Sequence, residues 1–223
     1  MKRAAVAVKK KPGLGAPQQV RIIGGRWKRS VLPVLDRPGL RPTPSRVRET
    51  LFNWLTSRFG ADLPGCFCVD AFAGTGALGL EAASRGAPEV LLVEQDARLV
   101  EGLRAAVARL QGSGVRVERG DGLQALARLR PGSAAIIFLD PPFGADLFLP
   151  ALQAAQRALT PGGCVYLEAP RAFAEAELAT LGWLLLRHMS AGAVHAHLLA
   201  VSPAMVQSPS GAEWSARSNT PSP

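Results

Sequence analysis

Four short segments carry residue types from which a ligand site can be built. The first is Asp70-Ala71-Phe72-Ala73-Gly74-Thr75-Gly76-Ala77-Leu78-Gly79, directly after the apolar run Cys66 to Val69. Gly74, Gly76 and Gly79 match G-x-G-x-x-G, where missing side chains let the backbone approach a ligand closely. That pattern alone also suits a dinucleotide pyrophosphate. Asp70, four residues ahead of Gly74, argues for a different ligand, because its carboxylate repels a pyrophosphate and attracts a cationic amino-acid moiety. Glu94 ends the next apolar run, 18 residues after Gly76, where an acid can accept both hydroxyls of a ribose. In Gly120-Asp121-Gly122, Asp121 either accepts from an adenine amino group or caps the helix that follows. The fourth segment is Asp140-Pro141-Pro142-Phe143, immediately after Ala134 to Leu139. Its two prolines stiffen the turn and remove two amide donors, leaving carbonyls and one carboxylate toward the cleft. Such an acceptor-only surface suits a flat amino group that must give up protons. Phe143 beside it can stack on a base held out of a helix.

Other polar residues form no comparable set. His195 and His197 alternate along one strand with His188 apart, and without a third nearby ligand they read as strand residues, so no metal is expected. Cys66, Cys68 and Cys164 lack paired C-x-x-C spacing and read as small apolar strand residues. No Ser/His/Asp or Cys/His arrangement stands out.

The four segments fall where strands would end. Apolar runs predict strands near 66–71, 89–93, 115–119, 135–140, 163–168, 182–188 and 194–201. Between them, periodicity predicts helices near 77–86, 96–110, 122–129, 146–159 and 171–180. This alternation implies an α/β fold whose mostly parallel sheet is covered on both faces, and the adjacency of the last two strands implies that one runs antiparallel. Ahead of it, residues 20–34 carry β-prone residues around Gly24-Gly25, a hairpin signal in which both glycines accept positive φ. Thr43 then Pro44 reads as N-cap and first residue of a helix near 44–59, whose Val47, Leu51, Trp54 and Leu55 share a face.

Charge is divided along the chain. Of the net +9, residues 1–48 carry +12 and the remainder −3, so the basic segment points to a polyanion partner. Candidate phosphate contacts are Arg21, Arg26, Lys28, Arg29, Arg41, Arg46 and Arg48. The expected organisation is a basic, unstructured arm over 1–19, a hairpin and helix that dock the polyanion over 20–60, the α/β domain with the four segments over 61–202, and a Ser/Pro-rich tail over 203–223. No apolar run approaches the roughly 20 residues of a spanning helix. The N-terminal stretch lacks a secretory h-region, so a soluble, cytoplasmic monomer without membrane contact is expected.

These features converge on one family. The segments RIIGGRWKRSVLPV, GLRPTPSRVRETLFNWL, DAFAGTGALGLEAASRGA, VEQDA and FLDPPF, within residues 20 to about 202, closely resemble the bacterial 16S ribosomal RNA guanine-N2 methyltransferases of the RsmD type. The resemblance implies a Rossmann-like, seven-stranded class I methyltransferase sheet with an N-terminal hairpin and helix extension. It also implies S-adenosylmethionine as methyl donor and a guanine 2-amino group of small-subunit rRNA as acceptor, within an assembling particle. By match of residues, Asp70, Phe72, Ala73, Gly74, Thr75 and Gly76 would hold the methionine part, Glu94 the ribose, and Asp121 with Gly122 the adenine. Asp140, Pro141, Pro142 and Phe143 would hold the target guanine. The Lys-rich arm before Val20, the C-terminal tail, and His195 with His197 depart from the family's pattern.

Overall fold

The computed structural model describes residues 19–34 and 43–203. Two short strands, β1 (Gln19–Arg21) and β2 (Val31–Pro33), pair antiparallel. The link between them is longer than the Gly-Gly pair suggests, and Gly24 does not adopt positive φ; Gly25 (φ 71°) and Arg29 (φ 72°) do. Gly25 is required sterically as well, since a Cβ there would lie 1.8 Å from the Ser84 carbonyl oxygen. A long helix follows, α1 (Ser45–Phe59), which buries Val47, Leu51 and Leu55 as the periodicity requires. Its N-cap position is Pro44, without a side-chain cap, so Thr43 does not cap this helix; its hydroxyl bonds Glu168 instead.

The remaining elements alternate: β3 (Phe67–Asp70), α2 (Gly79–Ser84), β4 (Glu89–Glu94), α3 (Ala97–Arg109), β5 (Val115–Arg119), α4 (Gly122–Arg128), β6 (Ala134–Leu139), α5 (Phe148–Ala158), β7 (Leu159–Ala169), α6 (Glu175–Thr180), β8 (Trp183–Ala191) and β9 (Val194–Val201). They build a seven-stranded sheet in the order β5-β4-β3-β6-β7-β9-β8. The pairs among β3 to β7 are parallel, and β9 runs antiparallel to both β7 and β8. Chain order reverses between β3 and β6, so their carboxyl ends open a crevice at a topological switch point.

Two apolar layers cover the sheet. One joins Val20, Ile22, Trp27 and Leu32 of the hairpin with α1, α2 and sheet residues such as Phe138 and Tyr166. The other joins Leu126, Leu152, Phe173, Leu178 and Trp183 beneath α4, α5 and α6. The hairpin thus shares a core with the sheet, so its burial stabilises both. Cys66, Cys68 and Cys164 are free thiols, all buried. Among the described residues, no helix is long and apolar enough to cross a membrane.

Candidate active site

A cavity of about 910 Å³ opens at the switch point and is lined from both of its sides. Asp70, Phe72, Ala73, Gly74, Thr75, Glu94 and Gly122 form one end, and Asp140, Pro141, Pro142 and Phe143 the other. Strand termination explains the convergence: Asp70 and Glu94 are the last residues of β3 and β4, and Asp140 follows β6 directly.

The glycine turn is held by the acids on either side of it. Glu94 accepts from the Gly74 amide (2.9 Å) through Oε2 and from the Asp96 amide (2.8 Å) through Oε1. Asp70 accepts from the Gly79 amide at 2.9 Å through Oδ2. Gly79 has no room for a side chain, because a Cβ would lie 2.2 Å from Leu92 Cδ2. The other Asp70 oxygen, Oδ1, is buried and has no hydrogen-bond partner among the described residues. Burial is the main force raising the Asp70 carboxyl from 3.8 to about 7, with the charges of Glu94 and Glu168 adding to it.

Two cofactor-side expectations fall differently. Gly76 is not part of the cavity wall; its amide closes the turn on the Ala73 carbonyl at 2.6 Å. Asp121 takes the capping alternative: Oδ1 accepts from the Gln124 amide at 2.9 Å, and Oδ2 accepts from Gln95 Nε2 at 2.9 Å. Its neighbours Gly120 and Gly122 line the cavity in its place.

At the Asp-Pro-Pro-Phe turn, Pro141 is buried and Phe143 is 37% exposed with its ring 6.1 Å from that of Phe148. Burial, followed by the charges of Glu168 and Asp70, pushes the Asp140 carboxyl well above the ordinary carboxylate range.

The chain is similar to several known proteins. The family model described as Conserved hypothetical protein 95 matches residues 20–200. Ribosomal RNA small subunit methyltransferase D of Escherichia coli K12 is 46% identical over 134 residues, spanning 60% of this chain and 65% of that protein. The protein of the same name from Haemophilus influenzae is 35% identical over 185 residues, spanning 80% of this chain and 92% of that one. The chain belongs to this RsmD family. The solved structure of the Escherichia coli yhhF protein, 36% identical, superposes with a TM-score of 0.68 over 82% of this chain and 98% of that chain. The seven-stranded sheet of this RsmD-family chain is accordingly the Rossmann-like class I methyltransferase fold that its motifs led one to expect.

The basic residues separate into two groups. Arg21, Arg26, Lys28, Arg29 and Arg46 are exposed, and Arg41 lies outside the described residues. Arg48 corrects the expectation of a phosphate contact, because it is 1% exposed. Its guanidinium donates to the Arg21 and Thr43 carbonyls at 3.0 and 3.2 Å and lies 3.6 Å from Glu81. The apolar spacing of α1 puts position 48 beside buried Val47 and Leu51, so the charge turns inward to a carboxylate rather than outward to a polyanion.

Motif reading also missed two acids. Glu81 is fully buried in α2 and accepts from the Ile23 and Gly24 amides (2.7 and 2.8 Å) and from Arg85 Nε (2.8 Å), fastening the hairpin to the sheet. Glu168 lines the cavity at the end of β7, 2% exposed, with the Tyr166 hydroxyl donating to it at 2.9 Å. The available signal was an acid inside an otherwise apolar strand, VYLEAP, at the strand's carboxyl end.

The three histidines gather at the far edge. His188 and His195 stack with ring nitrogens 3.2 Å apart, and His197 is buried, accepting from the Phe173 amide at 3.1 Å. Among the described residues no cluster of His, Cys, Asp and Glu could hold a metal ion.

Proposed function

We propose that the chain transfers the methyl group of S-adenosylmethionine to the exocyclic 2-amino group of a guanine in 16S ribosomal RNA, in an assembling small subunit in the cytoplasm. The observation that carries this reading is the single cavity. It has a glycine turn with two acids at one end and an acceptor-only Asp-Pro-Pro-Phe turn at the other. The name shared by the Escherichia coli and Haemophilus influenzae relatives supports rRNA as the substrate class.

The donor end fits that cofactor. An α-ammonium beside Asp70 would supply the partner that Oδ1 lacks, and would favour the ionised carboxylate against burial. Glu94 holds the glycine loop through Oε2 and the start of α3 through Oε1, and each oxygen retains acceptor capacity for a ribose hydroxyl. S-adenosylmethionine, when bound, supplies a sulfonium methyl as the electrophile.

The chain's own residues act on the nucleophile. The amino lone pair of guanine is delocalised into its ring. Asp140 and the Pro141 carbonyl accept the two amino hydrogens, which favours pyramidalisation and frees the lone pair toward the donor end. Phe143 stacks on the base and fixes the angle of approach. Positioning and fixed dipoles then supply most of the acceleration. The raised affinity of Asp140 for protons makes it a better acceptor for the proton that the methylated amine sheds.

The test is methyl transfer from labelled S-adenosylmethionine to small subunits that lack the modification, with the labelled nucleoside identified by mass spectrometry. N2-methylguanosine in 16S rRNA is the expected product. Label in adenine or in protein would overturn the acceptor assignment, and no transfer alongside tight RNA binding would indicate an assembly factor that retains the fold.

A further inference from the structure

Three carboxylates, from three neighbouring strands, face the same side of the sheet at its carboxyl end. Asp70 is in register with Phe138 across β3 and β6, and Phe138 with Tyr166 across β6 and β7. The Phe138 and Tyr166 rings meet edge to face at 6.4 Å beneath α1. Strand side chains alternate, so Glu168, two residues beyond Tyr166 within β7, returns to the side of that ring pair, and Asp140, directly after the end of β6, lines the same cavity. Neighbouring strands lie about 4.8 Å apart, which sets these two acceptors side by side on the scale of one base edge. Both line the cavity, together with Thr43 from the start of α1 and Val194 from the start of β9.

Asp140 has a role in the proposed reaction, and Glu168 has none. It is nevertheless expensive to keep there: a carboxylate 2% exposed forfeits its hydration. The surrounding structure is arranged to hold it as an acceptor. The Tyr166 hydroxyl donates to Oε1 at 2.9 Å, the Thr43 hydroxyl also bonds the carboxylate, and the Arg48 charge faces it. Burial still raises its proton affinity overall, and those donors oppose that push in part.

We propose that Glu168 is the residue that reads the target as guanine, accepting the N1–H of the base while Asp140 takes the adjacent 2-amino group. This rests on the guanine reading of the cavity. Guanine presents two donors side by side on its Watson–Crick edge, N1–H and the 2-amino group. Adenine presents an acceptor, N1, beside its amino group, and so would turn a lone pair toward a buried carboxylate. Val194, which also lines the cavity, carries no polar group with which adenine could replace the lost contact. Discrimination then arises mainly from the unpaired, desolvated acceptor that the wrong base leaves behind.

The base 2-aminopurine keeps the 2-amino group but lacks both the N1 hydrogen and the 6-oxygen; comparing two enzymes on the same pair of bases cancels the oxygen and isolates the N1 contact. Once the modified position has been mapped, RNA carrying guanine or 2-aminopurine there is compared in methyl transfer by the wild type and by Glu168→Gln. The wild type is expected to prefer guanine by about 10- to 100-fold in kcat/KM. In Glu168→Gln the amide can donate to the bare N1, so that ratio should fall by tenfold or more while S-adenosylmethionine affinity is retained. An unchanged ratio in a variant that binds the cofactor normally would overturn the role of Glu168 and leave the function intact. Should Glu168→Gln fail to bind the cofactor, Tyr166→Phe serves instead: it removes one hydroxyl that fixes the carboxylate, and an unchanged ratio there also overturns the proposal. Wild-type transfer to a base other than guanine would overturn both the proposal and the reading beneath it.

Discussion

At the scale of single residues, the cavity is organised by carboxyls that burial makes reluctant to ionise. Asp70, raised from 3.8 to about 7, holds more protons in the folded than in the unfolded chain between those values. Its contribution to stability is therefore fully present below the unfolded value and is lost as pH rises through about 7. Asp70→Asn removes that loss. Thermal midpoints measured from about pH 5 to about pH 8 should fall for the wild type and stay flatter for the variant, which becomes the more stable of the two at the alkaline end. The same variant should bind S-adenosylmethionine more weakly, since an amide cannot pair with an ammonium. A variant that is no more stable at alkaline pH would show that Asp70 is not strained there. Asp140 is raised too, by burial and by Glu168 and Asp70, and its carboxylate form is the one that can accept from an amine. Turnover should accordingly climb with pH through an inflection above the ordinary carboxylate range. Asp140→Asn should lower kcat by about 10²- to 10⁴-fold and leave cofactor affinity nearly unchanged. Near-normal turnover in that variant would remove Asp140 from the mechanism.

At the scale of elements, motif and register are legible to different degrees. The glycine turn, Glu94 and the Asp-Pro-Pro-Phe turn could be placed from sequence because each directly follows an apolar run, and a strand's carboxyl end is where an α/β sheet opens its crevice. Glu168 shares that position at a strand's carboxyl end but has no glycine or proline motif beside it, and Glu81 could not be placed because its partners are far away in the chain. Glu81 meets amides 57 and 58 residues distant, and no local periodicity encodes that contact. Arg48 departs from its charge pattern for the same reason: along the sequence it belongs to a basic run, whereas in the fold it is 3.6 Å from a fully buried acid. The end of the hairpin departs from its pattern as well, because the positive φ angles fall at Gly25 and Arg29 rather than at a two-residue turn. These contacts make the hairpin's attachment testable. Glu81→Ala would strand the Arg48 guanidinium without its counter-charge and two hairpin amides without an acceptor, a loss of about 3–5 kcal/mol by analogy with other broken buried pairs. Chemical denaturation followed by circular dichroism reads this directly. A loss well below 1 kcal/mol would mean that apolar packing alone holds the hairpin.

At the scale of the whole molecule, the division of charge in the sequence survives folding only in part. Arg48 is withdrawn into the core, while Arg21, Arg26, Lys28, Arg29 and Arg46 remain on the surface of the hairpin and the first turn of α1. That surface belongs to the same packed layer as the glycine turn, since Glu81 and Ser84 of α2 hold the backbone of residues 23 to 27. A rigid basic face fixed to the cavity can therefore set the orientation of a bound RNA, while the sheet beyond it supplies the chemistry. If Arg26 and Arg29 touch phosphates, each lost contact should reduce the salt slope of RNA binding by about 0.7 to 0.9 units. The double variant Arg26→Glu with Arg29→Glu should then bind 16S rRNA with a slope shallower by about 1.5 units, raise the apparent KM steeply at low salt, and keep its affinity for S-adenosylmethionine. Arg48→Gln should behave in the opposite way, costing stability through the loss of one of the two cations beside Glu81 and of the bonds to the Arg21 and Thr43 carbonyls, and leaving the salt slope where it was. Affinities across a salt series for both variants, with cofactor binding as the control, separate the two cases. An unchanged slope in the Arg26 and Arg29 variant would show that the RNA docks elsewhere, and a shallower slope in the Arg48 variant would show that this buried guanidinium reaches the phosphates after all.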